Sequence, residues 1–155
     1  MEGAKGTLFS MSHFSEEKIL PYSAQQMINL VSDVAKYPEF LPWCMGARVY
    51  NRRANGFDAD VMIGFKLFRE RFTSRVTLKP GRGVDVDYIK GPMKRLYNHW
   101  IFVDQPDGGC FVDFEVEFEF KNKVLDDMIG SLFEKACHKM VIAFEERAAE
   151  LYDIP

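Results

Sequence analysis

Between Ala47 and Phe120 apolar and polar side chains alternate with a period of two, the pattern of strands with one buried face. Ala47, Val49 and Asn51 oppose Arg48, Tyr50 and Arg52. After an Asn55-Gly56 turn signal, Phe57, Ala59, Val61, Ile63 and Phe65 share a face. Phe68, Glu70, Phe72, Ser74, Val76 and Leu78 then oppose Arg69, Arg71, Thr73, Arg75 and Thr77. Turns at Pro80-Gly81 and Gly91-Pro92 bracket Val84, Val86 and Tyr88, and Leu96, Asn98, Trp100 and Phe102 follow. Past a loop at Pro106 to Gly109 comes the clearest strand, where Val112, Phe114, Val116, Phe118 and Phe120 alternate with Asp113, Glu115, Glu117 and Glu119. Short turns between consecutive strands predict an antiparallel meander, and one charged face predicts that only the other is covered.

The period changes on both sides of this meander. His13 to Leu20 reads as a weakly patterned first strand. Ser23 and Gln26 form a capping box ahead of Met27, Leu30, Val31 and Val34, predicting a helix to about Val34. Pro38 and Pro42 then prevent a long helix over Tyr37 to Cys44, Pro38 suiting the first turn of a short one and Pro42 stopping it. From Asn122 to Tyr152 apolar residues recur at helical spacing: Leu125, Met128, Ile129, Leu132, Phe133, Ala136, Cys137, Met140, Val141, Phe144, Ala148 and Leu151. At 1.5 Å per residue this helix spans about 45 Å, enough to cover a whole sheet. The prediction is an α+β two-layer domain over residues 12–155, preceded by a poorly ordered extension at 1–11. The helix either seals the core or leaves a hollow above the sheet.

Composition narrows the function classes. The 155 residues carry a net charge of −3, which gives no reason to expect DNA binding. Cys44, Cys110 and Cys137 are odd in number and scattered, so a reduced compartment without a disulfide framework is expected. The three histidines lack metal-ligand spacing, and no metal site is expected. There is no phosphate-binding glycine loop and no nucleophile motif. The acidic row from Asp113 to Glu119 reads as a solvated strand face opposite basic residues such as Arg69, Arg71, Arg75 or Lys94. A compact basic patch for RNA or anionic lipid is a further alternative. Glu70 and Asn98 stand on the apolar face, where a buried polar group needs a partner. Either they are satisfied internally, or a strand bulge turns them outward, or they line a mostly apolar pocket. Gly130, inside the long helix, suggests close approach, a bend or space beneath it.

Several stretches carry a family resemblance. They are Tyr22 to Met27, the run from Val34 to Cys44 with its YPEFLPWC core, Phe72 to Val76, and Gly91 to Trp100. From about His13 onward the chain resembles the coenzyme Q-binding START-domain proteins of the polyketide cyclase/START superfamily. The resemblance implies the helix-grip fold, a curved antiparallel sheet wrapped around a long C-terminal helix, with two short helices after the first strand. It implies a non-enzymatic carrier or chaperone for ubiquinone, the bound ligand, with no further cofactor, supporting respiratory electron transport. Tyr37, Pro38, Phe40, Leu41 and Trp43 would form a gate. Glu70, Phe72, Asn98 and Trp100 on the sheet, and Leu132, Phe133 and Met140 on the helix, would be walls of a cavity. Ribosome-association toxins resemble the same motifs, so a ribosomal partner is a second expectation beside a respiratory-chain one. A cyclase or dehydratase using Glu70 is a third. No presequence is evident, so a bacterial cytoplasmic protein in transient contact with the inner membrane is expected.

Overall fold

The structure, a computed structural model, describes residues 12–65 and 68–153. The expected extension at 1–11 lies outside the described residues. Seven strands follow the sequence pattern: β1 (Ser12–Leu20), β2 (Cys44–Arg53), β3 (Gly56–Phe65), β4 (Phe68–Lys79), β5 (Gly83–Lys90), β6 (Met93–Asp104) and β7 (Cys110–Phe120). They form one antiparallel sheet in the order β1-β7-β6-β5-β4-β3-β2. The meander accounts for every neighbour except β1, which crosses to pair with β7 from Ser12↔Phe118 to Leu20↔Cys110.

Two short helices follow β1. Helix α1 (Ala24–Ser32) has the predicted capping box, with Ser23 Oγ accepting from Gln26 N–H and Gln26 Oε1 accepting from Ser23 N–H. It ends two residues earlier than the pattern suggested, and Val34 instead opens a 3-10 helix, Val34–Glu39. Tyr37 at its centre donates its hydroxyl to Val31 O, folding this turn back onto the end of α1.

Helix α2 (Lys123–Tyr152) is the long element. Asn122 caps it, accepting from Leu125 N–H at 3.1 Å. Asp126 is buried because its carboxylate accepts Phe120 N–H at 3.1 Å, tying the first turn to the end of β7. The helix lies along β1 and β7 and against α1. Phe133 packs tilted against Phe118 at 4.3 Å, Lys18 pairs with Glu145 at 2.7 Å, and Tyr152 donates to Gln26 O at 3.0 Å. This is the α+β helix-grip arrangement.

The sheet is not uniformly zipped. The β5–β6 ladder runs from Gly83↔Ile101 to Asp87↔Tyr97 and stops there. Beyond it β5 stays paired with β4, and β6 with β7. The two strands therefore splay over Tyr88 to Lys90 and Met93 to Leu96. Gly91 makes the turn at φ +149, where an added Cβ would sit 2.7 Å from Arg71 O. Only glycine fits so close an approach.

Candidate functional site

The helix does both things the sequence allowed, one in each half. Its C-terminal half seals the core. Cys137, Val141, Phe144 and Ala148 are buried, and the crevice that Val141 and Phe144 share with Leu20, Met27, Trp100 and Phe114 measures only about 10 Å³. Such a space is at the lower limit for one water molecule, about 10–15 Å³ of accessible volume, so no organic ligand fits there. The N-terminal half is only partly covered. Leu125, Ile129 and Phe133 are half-buried, as is Met140 just past the midpoint, while Val124, Met128 and Leu132 face solvent.

The physical reason is the line the helix takes. Because α2 follows β1 and β7, it leaves the concave face of the far strands without a full cover. Val61, Ile63 and Phe65 on β3, Phe68 on β4, Tyr88 on β5 and Leu96 on β6 are all half-buried there. Phe68, Phe120, Phe133 and Phe118 form a continuous aromatic floor, with centroids 6.3, 5.9 and 4.3 Å apart in that order. Trp43 bridges from the other side, edge-on to Phe65 at 5.6 Å and beneath the Lys139 ammonium at 5.9 Å. A cation over an indole face is a favourable contact. The result is a half-covered apolar groove between the first half of α2 and strands β3 to β6.

The residues expected to form the gate separate into two groups. Tyr37 and Phe40 pack edge-on against Phe144 at 5.3 and 5.2 Å, and Phe144 in turn meets Trp100 at 5.1 Å. Arg147 holds the segment to the helix, its guanidinium 5.1 Å from the Phe40 ring and 2.7 Å from the Glu39 carboxylate. Leu41 is buried and Pro38 is exposed. This part of the segment plugs the sealed end. Trp43 alone stands at the groove's rim, with φ +65, a backbone conformation that a bulky side chain rarely adopts.

The expected walls also divide. Phe133 and Met140 line the groove. Leu132 is exposed beside it, and Phe72 and Trp100 belong to the sealed core. Asn98 is satisfied internally, its side-chain amide donating to Glu115 O at 2.8 Å. Glu70 opposes Ile63 and so shares the concave face, yet it is exposed. It faces solvent without a bulge in its pairing to β3, since α2 does not reach over β4. Gly130 lies away from the groove, where the nearest atom to an added Cβ is Ser12 Oγ at 3.9 Å.

Tyr88 is the polar group the sequence reading passed over. Its hydroxyl accepts Met93 N–H at 2.9 Å, and burial pushes the phenol above its usual range, so it keeps its own proton to donate. Alternation had placed it on the apolar face, but only the β5–β6 splay brings it to an opening. The same splay opens a gap of about 350 Å³ beside Tyr88, Met93 and Leu96, ringed by Lys90, Lys94, Arg95 and Lys121.

On the outer face the charges pair differently from expectation. Arg69, Arg71 and Arg75 sit on β4, which is separated from β7 by β5 and β6. Of the expected partners Lys94 does meet the acidic row, 3.9 Å from Glu119, beside Arg95 at 3.4 Å and His99, 3.6 Å from Glu115. His99, Asp113 and Glu115 bring their ligand atoms within 4.8 Å of one another on this face, remote from the groove. Asp58 and Asp60, which alternation assigned to solvent, are buried under Arg48, Tyr50, Asn51, Arg53, Thr73 and Arg75. The three thiols are free and buried, with Cys110 and Cys137 pushed up to about 11 and about 12 by desolvation.

Comparison with known proteins adds independent findings. A family model described as polyketide cyclase/dehydrase and lipid transport matches residues 20–145. The ribosome association toxin RatA of Escherichia coli (strain K12) is 34% identical over 142 residues, covering 92% of this chain and 90% of that protein. The mitochondrial coenzyme Q-binding protein COQ10 of Drosophila melanogaster is 35% identical over 136 residues, 84% of this chain and 56% of that protein. The solution structure of the 18 kDa protein CC1736 from Caulobacter crescentus is 36% identical with a TM-score of 0.74, covering 92% of this chain and 99% of that one.

Proposed function

The chain belongs to the polyketide cyclase/dehydrase and lipid transport family, and on that premise we propose that it is a non-catalytic carrier of ubiquinone or a similar prenylated lipid. The observation that carries this reading is the half-covered groove, in which apolar side chains of α2 and of β3 to β6 pack on the core yet stay only partly buried. Leaving such a surface in water is unfavourable by about 25 cal/mol per Å², and so is leaving an isoprenoid tail there. Placing one against the other removes both from solvent. In this reading Tyr88 would donate to a quinone carbonyl, and Phe133 and Phe68 would offer ring faces to the head group. Trp43 and Lys139 close the rim, so their contact has to part for loading.

No acid–base pair converges on the groove among the described residues. Glu70 is at its edge and exposed, which favours binding over a cyclase-type reaction.

The test is to purify the protein under mild conditions, extract it with organic solvent and identify the lipids by mass spectrometry. Stoichiometric prenylated quinone is expected, and it should be lost in Ile129→Trp, which fills the groove while leaving the melting temperature near that of the wild type. A clean extract from folded protein, together with no rise in melting temperature on adding quinone in matched detergent, overturns the reading.

A second reading is ribosome association, favoured by the similarity to RatA, which spans about nine-tenths of both chains. It predicts salt-sensitive co-sedimentation with ribosomal particles that is indifferent to quinone.

A further inference from the structure

Helix α2 has two apolar faces, and only one of them is used for packing. Val124, Met128 and Leu132, spaced four apart, form a solvent-facing stripe, exposed to 65, 66 and 42% of their areas. At 100° per residue, Lys135 and Lys139 continue the same side of the helix. Asp127 and Glu134 lie about 100° or more away from Met128. The stripe begins three residues after Lys121, whose N–H donates to Pro92 O at 3.1 Å and which lines the gap between β5 and β6. Four cations, Lys90, Lys94, Arg95 and Lys121, ring that gap, with Asp87 as the only carboxylate among its lining residues. Lys90 and Lys121 have no carboxylate partner among the described residues, while Lys94 and Arg95 share Glu119. One end of a chain that is acidic overall thus presents a basic ring beside an apolar ridge.

We infer that this end, the first three turns of α2 with the β5–β6 gap, docks onto a bilayer surface containing anionic phospholipid. The basic ring meets the headgroup phosphates, and Val124, Met128 and Leu132 enter the boundary between headgroups and acyl chains. A phosphate polymer such as RNA would use the cations but leave the ridge in water, so the ridge decides for the membrane. The ridge adjoins the groove through Leu125 and Ile129. A lipid could then pass between groove and bilayer without crossing water. That purpose rests on the carrier reading above, but the docking itself does not.

The test is vesicle co-sedimentation of the full chain, stripped of lipid, with vesicles of phosphatidylcholine alone or doped with phosphatidylglycerol. Binding is expected only with phosphatidylglycerol and should weaken with added salt. Reversing two charges (Lys90→Glu with Lys121→Glu), or interrupting the ridge (Met128→Asp), should each cut it about tenfold or more. All three positions are exposed, so folding is preserved, as thermal melting will verify. Met128→Trp should bind at least as well, and its fluorescence should shift to the blue on anionic vesicles. The proposal is overturned by equal binding to neutral and anionic vesicles, by no binding, or by Met128→Asp binding like the wild type. It is also overturned if RNA competes fully while the ridge variants behave as wild type, which would make this end a nucleic-acid surface. Lipid extraction of the same variants separates the two readings. Vesicle binding by a chain that carries no quinone would sink the carrier and leave the docking site standing.

Discussion

Phe144 is the side chain on which the sealed end depends. Tyr37, Phe40 and Trp100 all meet it edge-on, the first two from the turn after α1 and the third from β6. Truncating such a residue removes transfer free energy and leaves a cavity that these rigid rings cannot refill. Phe144→Ala should therefore cost about 3–5 kcal/mol, read as a lower midpoint in urea unfolding. It should also loosen the Tyr37–Phe40 turn, since both rings then lose their contact with the Phe144 ring and Phe40 is left with Tyr37 and Arg147. At this scale the sequence was a good guide to identity and a poor one to use. The aromatic cluster of the YPEFLPWC run was visible as a segment with a task. That Tyr37 and Phe40 plug the core while Trp43 guards the groove depends on where Phe144 and Phe65 arrive, more than a hundred and about twenty positions away respectively.

Among the elements, the β2–β3–β4 edge shows how charge holds a sheet whose outer face no helix covers. Asp58 receives hydrogen bonds from Asn51 at 3.0 Å, Arg53 at 3.0 Å and Arg75 at 3.2 Å. The Asn51 amide, then the two guanidinium groups, hold its carboxyl down at about 2, below the ordinary 3.8. A carboxyl whose folded value lies below its unfolded one lends stability that is complete above the unfolded value and lost as the pH falls through the folded one. Acid unfolding of the wild type should thus steepen between 3.8 and about 2, and Asp58→Asn should flatten that part of the stability curve. Alternation alone marked Asp58 and Asp60 as exposed. Their burial follows from long arginines lying across neighbouring strands, which a period of two does not encode.

The whole molecule divides along the helix into a closed end and an open one. In lipid-free protein, amides of α2 from Ile129 back to Lys123 should exchange with solvent faster than those from Val141 to Ala148, because the first half has fewer packed neighbours. Adding quinone should slow the first half selectively, and hydrogen-exchange mass spectrometry reads both effects. A uniform pattern along α2, unchanged by quinone, would count against a groove that binds by closing. By itself the sequence determined the strand periods, the capped helices, the order of elements and the α+β class. These depend on spacing and on neighbours within a few residues, which any chain displays in one dimension. It also placed Phe133, Met140 and Trp43 among the candidates. Only the tertiary structure decided the line of α2 over β1 and β7, which exposes Glu70, leaves the far strands half-covered and turns Met128 outward. Only it opened the sheet at Tyr88. The reason is physical: a helix with apolar residues on two sides can bury either one, and the choice is made by the partners it meets across the fold.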